Sequence, residues 1–199
     1  MKKKLDLRTI CMLGLLAAVC FAGNYARIKL PMAIGGTSAF TLGNITCVLS
    51  GLLMGPIGGL ASGLGAALYD CMDPAYLMEA PLTFLNKGAM GLVAGVAAYQ
   101  GLRGASARNH GEPNPAPSYR RYLIAAILGV LTYYVFYFNK CYFYNGLLIQ
   151  ELTPKAALLI LPAKLPTSLF NGILAVVVAP PLAAAIRKAM DRSGIHSLA

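Results

Sequence analysis

A single lysine, Lys87, stands inside a run that otherwise reads as a membrane-spanning helix: Ala80-Pro81-Leu82-Thr83-Phe84-Leu85-Asn86-Lys87-Gly88-Ala89-Met90-Gly91-Leu92-Val93-Ala94-Gly95. An ammonium at membrane depth costs at least about 2.5 kcal/mol on insertion scales, so it faces a partner, a cavity or a ligand. Glu79, Thr83 and Lys87 recur at every fourth position and share one helix face if the helix runs through Pro81, which suits a first-turn position. Lys87 then lies about 12 Å below Glu79 along the helix. Other polar groups fall at comparable depths: Asn86 beside it, Asn44 near the start of a second span and Asn171 near the outer part of the last. The chemistry this set offers is binding. Lys87 and Asn86 suit a polar or anionic group, Asn44 and Asn171 suit hydrogen bonds, and Tyr133 or Tyr137 in the aromatic-rich stretch 133–144 can stack on a flat heterocycle. Two structural readings stand beside this one. Lys87 can pair with Asp70 or Glu79, and aromatics at a span's outer end can form an interface belt.

Catalysis finds little support. A membrane enzyme needs His, Asp or Glu clustered on an aqueous rim, and the seven acidic residues are scattered. His110 and His196 lack the cysteine or carboxylate neighbours of a metal site. No metal or cofactor is expected. A proton relay needs a chain of titratable groups, which one lysine and a few peripheral carboxylates do not make. The five cysteines are irregularly spaced and read as small packing residues, neither a disulfide framework nor a zinc pattern. The glycines around Gly58-Gly59 imitate a phosphate loop, but G-x-x-x-x-G-K-[ST] is absent from the chain. If the protein moves a solute uphill, another subunit supplies the energy.

The elements that position these residues are membrane helices. The chain has 199 residues, 57% apolar and 12% charged, against about 25% charged in soluble domains. One integral membrane domain over residues 1–199 is expected. Apolar runs predict six spans: about 9–28, 40–54, 57–72, 81–100, 121–140 and 165–186. Fusing the second and third would give a helix of about 50 Å against a hydrocarbon core of about 30 Å, and Gly55-Pro56 is a natural break. Two short helices joined by a tight turn are expected. The N-terminus imitates a signal peptide, but its apolar run continues past Cys20, so it is kept as the first helix.

Charge sets the orientation. With both termini cytoplasmic, Lys2, Lys3, Lys4, Arg8, Arg103, Arg108, Arg120, Arg121, Arg187, Lys188 and Arg192 lie inside, while Arg27, Lys29, Lys140, Lys155 and Lys164 lie outside. That bias obeys the positive-inside rule. The net charge of +10 therefore reports topology, because no basic stripe with interleaved aromatics marks a nucleic-acid interface. Residues 101–119 read as a flexible cytoplasmic loop. The outer connection from Pro31 to Ser38, with Gly35 and Gly36, is apolar and Gly-rich and could fold over a ligand.

Small residues form ridges. Gly14, Ala18, Ala22 and Ala26 stack on one face of the first helix, Gly51, Gly55, Gly59 and Gly63 run through the second and third, and Gly91 and Gly95 repeat the pattern in the fourth. Such ridges serve close packing within the bundle or docking of another membrane protein.

Taken together, Leu42-Gly43-Asn44, the run Leu53-Met54-Gly55-Pro56-Ile57-Gly58-Gly59-Leu60-Ala61-Ser62-Gly63-Leu64-Gly65, Tyr69-Asp70, and Ala80 to Gly88 carry a resemblance. The chain resembles the substrate-binding S-component of energy-coupling factor (ECF) transporters, over about residues 8–190, and within them the riboflavin-type or pyrimidine/vitamin B6-type branch. The resemblance implies a six-helix bundle with both ends inside and a vitamin-sized ligand held near the outer face, beneath the connection between helices 1 and 2. It implies a transmembrane coupling subunit that docks on small residues of helix 1, where Ala18-Val19-Cys20-Phe21-Ala22 fits the A-x-x-x-A arrangement. Two ATPase subunits would drive the cycle. The chain has no tryptophan, so any stacking on the ligand would use Tyr or Phe. A stand-alone secondary transporter is the first competing reading, although no internal repeat is visible; a structural membrane scaffold is the second.

Overall fold

The structure is a computed structural model that describes residues 7–31, 37–100 and 117–192. Gly35, Gly36 and nearly all of the expected 101–119 loop lie outside these residues. The described chain is mostly helical, with one two-stranded sheet.

Helix α1 (Leu7–Tyr25) is an apolar run without proline. It gives way to Arg27-Ile28-Lys29-Leu30, where polar and apolar residues alternate with the period of two that suits a strand. Strand β1 (Arg27–Pro31) pairs antiparallel with β2 (Thr37–Thr41), from Arg27 opposite Thr41 to Pro31 opposite Thr37. This hairpin corrects the purely helical reading. The first expected span stops short at Tyr25, and a strand occupies the start of the expected second one.

Helix α2 (Gly43–Met72) follows without a loop and breaks at Gly55, whose φ of 70° and ψ of −157° are non-helical. That conformation is open essentially to glycine alone. Its two limbs, 43–54 and 56–72, double back on each other. A Cβ on Gly51 would lie 2.2 Å from the Gly91 carbonyl oxygen, and one on Gly59 would lie 2.1 Å from the Gly91 carbonyl carbon. In a straight helix those two positions would be about 12 Å apart; here both touch one residue. The expected pair of short helices with a break at Gly55-Pro56 matches this geometry. Pro56 has no N–H, so the Leu52 carbonyl loses its helical partner. The Tyr99 hydroxyl fills the gap, reaching Leu52 O at 2.9 Å and Leu53 O at 3.0 Å.

A 3₁₀ turn (Leu77–Glu79) leads into α3 (Ala80–Tyr99), with Pro81 in the first turn as expected. Gly91 of α3 packs directly on Gly59 of α2, so the second ridge is spent on internal packing. Helix α4 (Tyr119–Asn139) continues into a π-helical segment (Lys140–Ile149), followed by the short α5 (Pro154–Leu158) and the long α6 (Ile160–Arg192). The core is built largely from small residues, among them Cys47, Ala94, Ala98, Ala125, Ala126, Ala175 and Ala179. Cys20, Cys47 and Cys141 are buried as packing residues, whereas Cys11 and Cys71 are exposed.

Large apolar side chains such as Leu64, Leu131, Ile173 and Val177 point outward. An apolar exterior of this extent belongs in lipid. Four helical stretches, Leu7–Tyr25, Gly43–Met72, Tyr119–Ile149 and Pro154–Met190, are long and apolar enough to cross a membrane.

Candidate functional site

Because α2 doubles back, Asn44 at its start and Asp70 near its end reach the same end of the bundle, beneath the β1–β2 hairpin. Both line a semi-enclosed cavity there. α3 contributes Thr83, Asn86 and Lys87, and Glu79 joins from the preceding 3₁₀ turn, so the face drawn from sequence points into one space. α4 adds Tyr133 and Tyr137, stacked with ring centroids 5.3 Å apart. The π-helical segment then matters for position. Its wider turn lets Cys141 and Asn145 continue the column begun by Tyr133 and Tyr137. α6 supplies Lys164 and Asn171. Six residues proposed from sequence (Asn44, Asn86, Lys87, Tyr133, Tyr137 and Asn171) thus surround one cavity.

Lys87 is 7% exposed. Its ammonium hydrogen-bonds the Asn24 side-chain oxygen. Neither carboxylate weighed as its partner holds it. Asp70 takes Arg27 at 2.8 Å, and Glu79 takes Lys140 at 2.6 Å and the Asn145 amide at 2.7 Å. The ion-pair alternative for Lys87 is therefore corrected to a neutral partner on α1. Asn24 is fully buried, donates to the Cys20 carbonyl at 2.7 Å and accepts from Arg27 at 3.4 Å.

The hairpin is fastened on both sides. Arg27 lies over the rings of Tyr69 and Tyr76, 4.7 and 4.6 Å from their centroids, and Lys29 pairs with Asp73 at 2.6 Å. Thr37 donates to the Tyr76 hydroxyl at 2.9 Å. Asn171 works from the other side. Its amide donates to the Ala39 carbonyl at 2.8 Å and accepts the Thr41 N–H at 3.1 Å, as a neighbouring strand would. Phe40 packs edge-on to Phe170 at 5.0 Å. At Asp73, burial alone would raise the carboxyl's pKa, but the hydrogen bonds from Lys29 and the Ala75 N–H prevail and hold it below its ordinary value. The same bond raises the Lys29 ammonium.

Several buried polar atoms facing this space lack a hydrogen-bond partner: both amide atoms of Asn44, Asn86 Oδ1, Asn145 Oδ1 and Ser38 Oγ. Such atoms are costly unless something completes them. The cavity is about 80 Å³, smaller than the ligand pockets of about 300 Å³ and more that hold drug-sized molecules. Admitting such a ligand requires the hairpin or the wall to give way.

Sequence reasoning missed Asn24, Arg27, Tyr76, Asn145 and Lys164. Arg27 and Lys164 entered only as topology charges. Asn24 had a usable signal: it is a strongly polar residue in an otherwise apolar first span. On α1, Gly14, Ala18 and Ala22 are exposed, as is Ala26 just beyond its end, and the space around Gly14 is open.

The polar cavity at one end of this helical membrane protein is its candidate binding site. The family model described as ECF-type riboflavin transporter, S component, matches residues 4–188, and the chain belongs to that family. It is accordingly a substrate-binding component of a transporter, not an enzyme, and a multi-pass membrane protein of bacterial type. A solved structure described as "Structure and mechanism of the S component of a bacterial ECF transporter" has the same fold at a TM-score of 0.55. It is 16% identical, over 91% of this chain and 96% of that one. No curated protein matches the chain.

Proposed function

We propose that the chain is the high-affinity binding subunit for uptake of a small water-soluble vitamin or precursor, a flavin first among the flat nitrogen heterocycles, and that separate coupling and ATPase subunits energise it. The observation that carries this reading is the cavity beneath the hairpin, where Asn44, Asn86 and Asn145 present unpartnered amide atoms beside the Tyr133–Tyr137 stack. Amides match the edge of a heterocycle and tyrosines match its face. With the limbs of α2 taken as separate spans, six crossings with both termini cytoplasmic is the reading that the charge bias supports, and on that reading the cavity faces outward. Ligand enters when the hairpin lifts and is enclosed when it returns. Lys87, Asn86 and Asn44 contact it, and Asn171 holds β2.

The coupling subunit docks on Gly14, Ala18, Ala22 and Ala26. What supports this is that the ridge is exposed while the α2–α3 glycines are consumed inside the bundle. The test is reconstitution. The purified chain in lipid vesicles should bind riboflavin tightly yet accumulate none until coupling and ATPase subunits are added. Accumulation by the chain alone would overturn the reading in favour of a secondary transporter.

A further inference from the structure

Asn24 lies near the end of α1, where that helix meets both strands of the hairpin and the cavity wall. Its side-chain oxygen is approached by three donors: the Lys87 ammonium, the Arg27 guanidinium at 3.4 Å and the Thr41 hydroxyl at 3.4 Å. The Thr41 hydroxyl divides its proton between that oxygen and the Gly23 carbonyl at 3.3 Å. An amide oxygen has two lone pairs, so these donors compete for it. The amide cannot turn away. Its nitrogen donates to the Cys20 carbonyl at 2.7 Å, and a Cβ on Gly43 would lie 2.6 Å from its Cγ. Full burial of Asn24 keeps bulk water from making up the shortfall. The competing donors also have different duties. Arg27 pairs with Thr41 as the first rung of the hairpin, and Asp70 balances the Arg27 charge at 2.8 Å. Lys87 faces the cavity and has no carboxylate partner among the described residues.

We propose that Asn24 is a positioning residue that couples occupancy of the cavity to the root of the hairpin: an acceptor on the ligand draws the Lys87 ammonium off the Asn24 oxygen, which then takes Arg27 and Thr41 closely. Without ligand the lysine loosens the root, and with ligand its departure lets the root tighten. The inference rests on the reading that Lys87 contacts ligand beneath the hairpin, and adds how that contact reaches β1 and β2.

Hydrogen exchange of the β1 and β2 amides, followed by mass spectrometry on the full-length protein in lipid nanodiscs, reads the root directly. The decisive variant is Lys87→Met without any ligand. It removes the competing donor, so exchange in the hairpin should slow by about fivefold or more. A merely structural lysine predicts the reverse, because losing a buried bond loosens its surroundings. In an Asn24→Leu background the same Lys87→Met change should alter exchange by less than about twofold. Saturating riboflavin should slow these amides about tenfold in the unaltered protein and less than about threefold in Asn24→Leu. Unchanged or faster exchange in Lys87→Met overturns the inference, as does equal protection by riboflavin with and without Asn24. If riboflavin does not bind the unaltered protein, the flavin reading fails, and the ligand-free Lys87→Met comparison still decides the role of Asn24. Should Asn24→Leu fail to fold, that same comparison decides alone.

Discussion

Asn24 and Lys87 divide one problem between them. The lysine brings a charge into the membrane, and the asparagine gives its ammonium a buried acceptor. Lys87→Met should weaken ligand binding while the protein remains folded, checked by titration and thermal melting of the same preparation. A melting temperature that falls while binding persists would make Lys87 structural. Asn24→Leu should act the other way round. It leaves the ammonium buried without its acceptor and should cost about 1.5–3 kcal/mol of stability, read as a lower melting temperature even without ligand. Lys87 was legible in the sequence because a lone charge in an apolar run is conspicuous. Its partner was not, because no spacing rule links positions 63 residues apart on different helices.

At the scale of elements, close helix packing and the hairpin fastening govern behaviour. Gly59→Ala would place a methyl 2.1 Å from the Gly91 carbonyl carbon. That clash should outweigh the gain of about 1 kcal/mol in helix propensity, and the variant should melt lower than the parent. Gly14→Ala has open space around it and should leave melting unchanged or slightly higher. Ala18→Leu should leave ligand binding intact and abolish uptake in the reconstituted transporter. The Lys29–Asp73 latch has a defined pH window. Asp73's lowered pKa means its contribution holds above the ordinary carboxylate value and is lost as pH falls through the folded value. Lys29's raised pKa means its contribution holds below the ordinary ammonium value and is lost as pH rises through the folded one. Ligand release should therefore be flat from about pH 5 to 9 and quicken in stronger acid. Helices were readable from apolar length, and the break at Gly55-Pro56 from turn chemistry. The hairpin was not, because Arg27 to Thr41 is too short and too mixed to rise above the flanking spans. The π-helical segment also escaped, because its register depends on what Cys141 and Asn145 face after folding.

On the scale of the whole molecule, the two ends of the bundle do different work. One end carries the hairpin, the cavity and its charges. At the other, Tyr99 closes the break in α2, and the guanidinium of Arg187 on α6 hydrogen-bonds the same hydroxyl. The Tyr99→Phe change should leave Leu52 O and Arg187 without this partner at once. A loss of about 1–3 kcal/mol follows, measured by melting, with the ligand's contact residues untouched.

The reversal at Gly55 also reaches back to biosynthesis. Straightened, the 30 residues of α2 would form a rod of about 45 Å that crosses a bilayer once. Asp70 would then emerge on the side opposite Asn44, and every later segment would insert upside down. A residue such as valine at position 55, barred from that backbone conformation, therefore threatens the sidedness of the chain more than its packing. Labelling of a cysteine placed at Glu151, from one face of intact cells and then the other, would register the inversion.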